Sequence, residues 1–89
     1  MVTVILTHEV RNFSEWKTGF DTGAGLREQN GVKINGVYNS VENPNLVTVI
    51  TEFPSVEAVK GFMANPALKS DMEKAGVVGA PEVKILNKL

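Results

Sequence analysis

The order of strand-like and helix-like segments is the feature that most restricts how this chain can fold. Apolar runs rich in β-branched residues, which favour strands, occupy residues 2–10, 32–41, 46–53 and 82–89. Apolar residues at helical spacing fill the two long intervals between strands. The resulting order, β-α-β-β-α-β, is the split βαβ arrangement of ferredoxin-like folds. We therefore expect a single α+β domain over residues 1–89, with a four-stranded antiparallel sheet.

The first strand and the first helix each carry a recognisable pattern. Alternate residues of a strand share a face, so His8 lies on the same face as Val4. Asn12 is expected to cap a helix, because Glu15 follows three residues later in a capping-box arrangement. The apolar stripe of that helix consists of Phe13, Trp16, Phe20 and Ala24. Glycines soften its second half, and Gly31 is the expected stop.

Turn and cap signals divide the rest of the chain. Residues 42–45 have turn chemistry and join the second and third strands into a hairpin. Ser55 is expected to cap the second helix. Asn65 and Pro66 are expected to break that helix and to begin a short one, with Pro66 at its first position. Residues 77–81 contain two glycines and a proline and are predicted to form a loop before the last strand.

Composition excludes several kinds of chemistry. The 89 residues include no cysteine and one histidine, His8, which argues against thiol nucleophiles, Cys-rich zinc sites and paired-His metal sites. The glycine spacing does not match a dinucleotide-binding motif, so neither a cofactor nor a metal is expected. A net charge of −1 without a basic stripe argues against nucleic acids and membranes as partners. The first ten residues lack a positive leader, so we expect no signal peptide and a cytoplasmic location.

His8 is the candidate catalytic residue, because histidine is the side chain whose unperturbed pKa lies near neutral pH. At the wall of a pocket, its imidazole could take a proton from an activated phenol, quinol or enol. The alternative is a packing histidine that hydrogen-bonds a backbone carbonyl or a carboxylate. The first interpretation requires a cavity beside His8, and the second predicts a ring buried against carbonyl groups without one.

Aromatic residues supply the candidate pocket and a weaker catalytic candidate. Trp16, Phe20 and Phe62 could form the wall of a pocket for a flat ligand, although stripes at this spacing also serve as core. Tyr38 could orient a substrate or stabilise an oxyanion. Gly36 is a possible β-bulge, so it leaves open which face of the sheet Tyr38 occupies. The alternative is that Tyr38 faces a dimer interface.

Several short motifs resemble the dimeric α+β barrel proteins. They are His8-Glu9-Val10, Trp16-Lys17, Asn43-Pro44-Asn45, Asn65-Pro66-Ala67-Leu68 and Ala75-Gly76-Val77. Together they resemble most closely the small proteins related to antibiotic biosynthesis monooxygenases. This resemblance implies a homodimer whose sheets pack face to face, with a small-molecule pocket in each protomer. It also implies a cofactor-independent monooxygenase, cyclase or isomerase acting on an aromatic or polyketide-like compound; the alternative is a non-catalytic ligand-binding or structural homodimer.

The chain departs from two branches of this superfamily. Plant polyketide cyclases carry a His-Pro-Ala-His stretch whose last histidine is catalytic, and Leu68 stands at that position here. Phe62 stands where that branch has its catalytic tyrosine. Haem-degrading members bind iron through a histidine in the second helical region, and residues 55–75 contain none. Both activities are therefore disfavoured in their familiar form, and His8 would act alone or with Tyr38.

Overall fold

A single four-stranded antiparallel sheet organises the molecule. The computed structural model describes residues 1–89, apart from the side chain of Leu26. The elements are β1 (Val2–Val10), α1 (Phe13–Thr22), α2 (Ala24–Gln29), β2 (Lys33–Asn39), β3 (Leu46–Phe53), α3 (Val56–Met63), α4 (Pro66–Lys74) and β4 (Val77–Asn87). The strands lie in the order β2-β3-β1-β4. The predicted α+β, ferredoxin-like architecture is confirmed, with each helical region divided in two.

The first helical region begins as predicted and breaks earlier than predicted. Asn12 Oδ1 accepts the Glu15 N–H at 3.1 Å and caps α1. A second acceptor comes from the hairpin, where Asn45 Oδ1 receives the Phe13 N–H at 3.0 Å. The helix does not run unbroken to Gly31, because α1 ends at Thr22 with Gly23 as its C-cap, and α2 starts at Ala24. Glycine is a poor helix former, which explains the position of the break.

A bulge and an aromatic ring distinguish β2. The register with β3 shifts between Ile34 and Gly36, which confirms the predicted irregularity at Gly36. The ring of Tyr38 lies over Gly36, where an added Cβ would be 2.5 Å from Tyr38 Cε2. Only glycine leaves room for this arrangement. The strand covers residues 33–39 and is shorter than the predicted 32–41.

Side-chain caps define the second helical region. Ser55 Oγ accepts the Ala58 N–H at 3.1 Å at the start of α3. Asn65 Oδ1 accepts the Ala67 N–H at 2.9 Å, and Pro66 begins α4. The predicted break and both predicted caps are therefore confirmed.

The last strand begins five residues earlier than predicted. Residues 77–81 were expected to form a loop, but they belong to β4, and Val77 and Val78 pair with β1. Val78 and Glu82 pair with Glu9 and Thr7, so β4 carries two extra residues opposite His8. Gly79 adopts a φ of 71° within this bulge, a conformation that glycine tolerates best. The loop prediction was wrong because a long bulge accommodates the glycine and proline that suggested a turn.

The sheet has one covered face and one open face. The covered face packs against the helices in two clusters, around Phe53 with Phe62 and around Val47 with Trp16. The open face carries the directly paired Ile5 and Ile50, together with threonines and charged residues. No helix among the described residues is long and apolar enough to cross a membrane.

Candidate ligand-binding and active site

A cavity of about 100 Å³ lies between the covered face of the sheet and the helices. Its wall includes the strand residues Val4, Leu6, His8, Ile34, Val49, Thr51 and Phe53 and the helical residues Trp16, Phe20, Arg27, Phe62, Met63, Leu68, Asp71 and Met72. Asp71 is exposed, so the cavity reaches solvent on the side of α4. For comparison, a dry apolar cavity of about 150 Å³ takes up benzene. The space here is smaller, but it is open to solvent, so a bound ligand can extend beyond it towards α4.

His8 lies at the wall of this cavity without a protein partner. Its side chain is 6% exposed. Neither Nδ1 nor Nε2 has a hydrogen-bond partner among the described residues. Burial lowers the pKa of His8 below 6.5 and so favours the neutral ring at neutral pH. Buried polar atoms are nearly always hydrogen-bonded, so two unsatisfied ring nitrogens beside a cavity require an explanation.

The three aromatic residues proposed as pocket walls line the cavity beside His8. The Trp16 and Phe20 rings are tilted by 32° with centroids 5.0 Å apart, and both line the cavity. Phe62 lines it from α3 and meets the Phe53 ring at 5.5 Å. Trp16 and Phe62 are also buried in the two core clusters. These aromatic residues therefore serve as core and line the cavity at the same time, and their role in binding a ligand stays a prediction.

Tyr38 lies away from the residues that line the cavity of its own chain. It pairs with Thr48, and Thr48 pairs with Thr7, so all three side chains lie on the open face of the sheet. His8 lies on the covered face. Tyr38 is 55% exposed and does not line the cavity. This placement agrees with the interface interpretation, and it leaves Tyr38 without access to the cavity of its own chain.

The structure brings further polar residues to the cavity that the sequence interpretation missed, among them Thr51 and Arg27. Thr51 Oγ1 donates to the Val4 carbonyl oxygen at 3.3 Å. Arg27 Nη2 donates to the Phe20 carbonyl oxygen at 2.7 Å. Arg27 follows Phe20 by seven residues, a spacing that returns to the same face of a helix and could have indicated its place in the stripe.

The arrangement suits a flat, largely apolar ligand with a hydroxyl group. A neutral imidazole offers one acceptor and one N–H donor, and the aromatic walls match a planar ring. Among the described residues, no group of three His, Asp or Glu side chains could hold a metal ion. Fold and site together define a ferredoxin-like α+β protein with an apolar cavity on the helix side of its sheet.

Comparisons with solved structures place this chain in a well-populated fold. A protein from Bordetella bronchiseptica described as a "putative antibiotic biosynthesis monooxygenase" superposes with a TM-score of 0.83 at 15% identity, over 99% of this chain and 96% of that chain. A protein from Caulobacter crescentus with the same description superposes with a TM-score of 0.78 at 19% identity, over 99% of this chain and 89% of that chain. SnoaB, a cofactor-independent oxygenase from Streptomyces nogalater, superposes with a TM-score of 0.75 at 15% identity, over 98% of this chain and 91% of that chain.

Searches for sequence similarity are negative. No protein-family model matches the chain. No curated protein sequence matches it. The structural likeness therefore shows that the chain has the fold of antibiotic biosynthesis monooxygenases, as the motifs of the sequence suggest. A shared fold does not select a reaction, so the activity must be argued from the site.

Proposed function

We propose that this protein binds a small aromatic compound in the cavity and that His8 takes a proton from a hydroxyl group of that compound. The observation that carries the proposal is the buried imidazole with two unpartnered nitrogens at the wall of an apolar cavity. A ligand hydroxyl that donates to this ring would satisfy one of those nitrogens. The lowered pKa supports the same role, since only the neutral ring accepts a proton.

The reaction that this proton transfer best serves is a cofactor-independent oxygenation. Removing the proton from a phenol gives an electron-rich phenolate, which itself reduces O₂. One oxygen atom becomes the second carbonyl oxygen of a quinone, and the other leaves as water. The hydrogens of that water come from the hydroxyl group and from the ring carbon that is oxygenated, and the substrate supplies all four electrons. The fold shared with the cofactor-independent oxygenase SnoaB supports this choice over cyclisation or isomerisation.

Oxygen uptake with a panel of electron-rich phenols and quinols tests this proposal. General base catalysis contributes about 10²–10⁴-fold, so His8→Ala is expected to lower uptake by about 100-fold or more. His8→Phe keeps an aromatic ring beside Trp16 and controls for lost packing. Glu57→Gln, at an exposed position on α3, should retain full activity. Uptake that persists in a folded His8→Ala variant would overturn the proposal.

A binding function without catalysis is the second candidate. Thr51 and Arg27 each donate to a backbone carbonyl oxygen, whereas both ring nitrogens of His8 lack a protein partner. A site that offers hydrogen bonds to a ligand can orient it without stabilising a developing charge. Saturable binding of phenols without oxygen uptake or other turnover would support this function.

We also propose that the open sheet face packs against a second copy of the chain. The face carries half-buried Ile5 and Ile50 at its centre, and Thr7 Oγ1 lies 3.0 Å from Thr48 Oγ1 beside them. A chain of 89 residues buries a modest share of its unfolded surface, so association would add apolar burial. This arrangement would cover the ring of Tyr38, which is exposed in the single chain.

A further inference from the structure

Arg27 occupies an unusual place for a guanidinium group. Its Cζ lies 3.8 Å from the centroid of the Phe20 ring, and its Nη2 donates to the Phe20 carbonyl oxygen at 2.7 Å. The missing side chain of Gly23 leaves room for this, because a Cβ on Gly23 would lie 3.1 Å from Arg27 Nη1. The glycine-rich segment therefore lets Arg27 fold back against the aromatic wall of the cavity.

The charge of Arg27 has no carboxylate partner within 4 Å among the described side chains. The ion pairs there join Lys17 to Asp21 and Lys84 to Glu82. Asp21 acts on Arg27 only through a longer-range attraction, and Asp71 lines the cavity as an exposed carboxylate without an ion pair to Arg27. A guanidinium stays charged in proteins and forms directed bonds with carboxylates. An unpaired one at an apolar cavity is thus a candidate for ligand recognition.

His8 and Arg27 are connected by a row of aromatic rings. The His8 and Trp16 ring centroids are 5.5 Å apart, and the Trp16 and Phe20 centroids are 5.0 Å apart. Arg27 then stacks on Phe20 at 3.8 Å, and all four side chains line the same cavity. A planar ligand long enough to span this row would have one end at the imidazole and the other at the guanidinium.

We infer that Arg27 makes the site selective for aromatic compounds that carry a carboxylate at the end opposite the hydroxyl group facing His8. The inference rests on the proposed function for the orientation of the ligand. It adds a substrate class, the hydroxyaryl carboxylates, and a specificity-determining residue. Arg27 provides the positive charge, and its contacts with the ring and the carbonyl oxygen of Phe20 hold the guanidinium at the cavity wall.

The test compares matched probes that differ only in charge. They are 4-hydroxybenzoate with 4-hydroxybenzamide, and the longer 6-hydroxy-2-naphthoate with 6-hydroxy-2-naphthamide. Binding is followed by the fluorescence of Trp16, which is the one tryptophan of the chain and lines the cavity. The wild type should bind at least one carboxylate about tenfold or more tightly than its amide. Arg27→Gln should remove this preference by weakening binding of the carboxylate more than that of the amide, whereas Arg27→Lys should retain part of it.

Three results would overturn the inference. One is equal binding of carboxylate and amide by the wild type, and another is failure of all four probes to bind at millimolar concentration. The third is an Arg27→Gln variant with native circular dichroism that loses affinity for both members of a pair equally, since that indicates a structural role. The titration needs no turnover, so its outcome is separate from that of the oxygen-uptake experiment on His8.

Discussion

The imidazole ring of His8 meets the indole ring of Trp16 edge-on, with centroids 5.5 Å apart and ring planes at 76°. The contact joins β1 to α1 at the cavity wall, and it is the aromatic contact of a histidine whose nitrogens have no hydrogen-bond partner in the described structure. Packing of the His8 ring against Trp16 stabilises the folded protein, whereas burial of two nitrogens without hydrogen bonds destabilises it. That balance suits a ring kept available for a ligand.

Burial of His8 should make the protein less stable as the pH falls below neutrality. The pKa of His8 in the folded state lies below its ordinary value of 6.5. Between 6.5 and that lower pKa, the unfolded chain binds a proton that the folded protein does not. The free energy of unfolding should therefore decrease as the pH is lowered through this range, by at most about 1.4 kcal/mol per pH unit. Well above pH 6.5 the effect is absent, because both states are unprotonated.

Urea denaturation at pH 7.5 and pH 5.5 measures this effect. His8→Phe removes the titrating group and keeps a ring against Trp16, so its stability should change less between the two pH values than that of the wild type. Arg27 and Asp71, the other charged residues of the cavity wall, are present in both proteins. Their contributions to the pH dependence of stability therefore cancel in the comparison. Equal pH dependence in the two proteins would contradict the lowered pKa.

The crossing of α1 over α4 should depend on glycine at position 19. A Cβ added to Gly19 would lie 2.9 Å from the Cβ of Ala75, so the helices would have to move apart. Overpacking of this kind costs about 1–3 kcal/mol, and the better helix propensity of alanine offsets up to about 1 kcal/mol. We expect Gly19→Ala to be destabilising by thermal or chemical unfolding.

Gly61→Ala is the matched control for that substitution. Gly61 lies in α3, and nothing is within 4 Å of an added Cβ. The same change there should therefore stabilise the protein by about 0.5–1 kcal/mol through helix propensity alone. An equal gain in stability at both positions would show that α1 and α4 are not in close contact.

Asn45 should contribute to stability through α1, although it belongs to the hairpin. Its side chain accepts the Phe13 N–H at 3.0 Å, and its carbonyl oxygen accepts the Val10 N–H at 2.8 Å. Asn45→Ala removes only the first bond and should cost about 1 kcal/mol, the usual value of a lost helix cap. Asn45→Asp keeps an acceptor and should cost less. Equal losses in the two variants, measured by urea denaturation, would rule out the cap.

A charge at the centre of the open sheet face should prevent association of two chains. Ile50→Lys places an ammonium group opposite Ile5, where the proposed dimer would bury it. Light scattering should give a dimer mass for the wild type and a monomer mass for this variant. Val56→Lys changes an exposed apolar residue on α3 and should leave the dimer intact. A wild-type monomer at micromolar concentration would refute the homodimer.

Local signals in the sequence predicted the starts of α1, α3 and α4 correctly, whereas the separate start of α2 was not predicted. Asn12, Ser55 and Asn65 each hydrogen-bond a backbone N–H two or three residues later, so the partners are adjacent in the chain. The four strands were also recognised from their composition. Interactions of this range need no knowledge of the rest of the fold.

The beginning of β4 could not be predicted in the same way. Gly79 and Pro81 carry the composition of a loop, and only pairing with β1 makes the segment a strand. The two extra residues form a bulge opposite His8, on the partner strand. Their conformation is decided by a neighbour about seventy residues away in sequence.

The sequence by itself determined the segment order, the helix caps, the lone histidine and the aromatic stripe that became the cavity wall. Only the tertiary structure decided that His8 has no polar partner, that Tyr38 lies on the opposite face, and that Arg27 stacks on Phe20. The reason is physical. Caps and periodicity arise between near neighbours, whereas a cavity and its charges depend on how elements distant in sequence pack together.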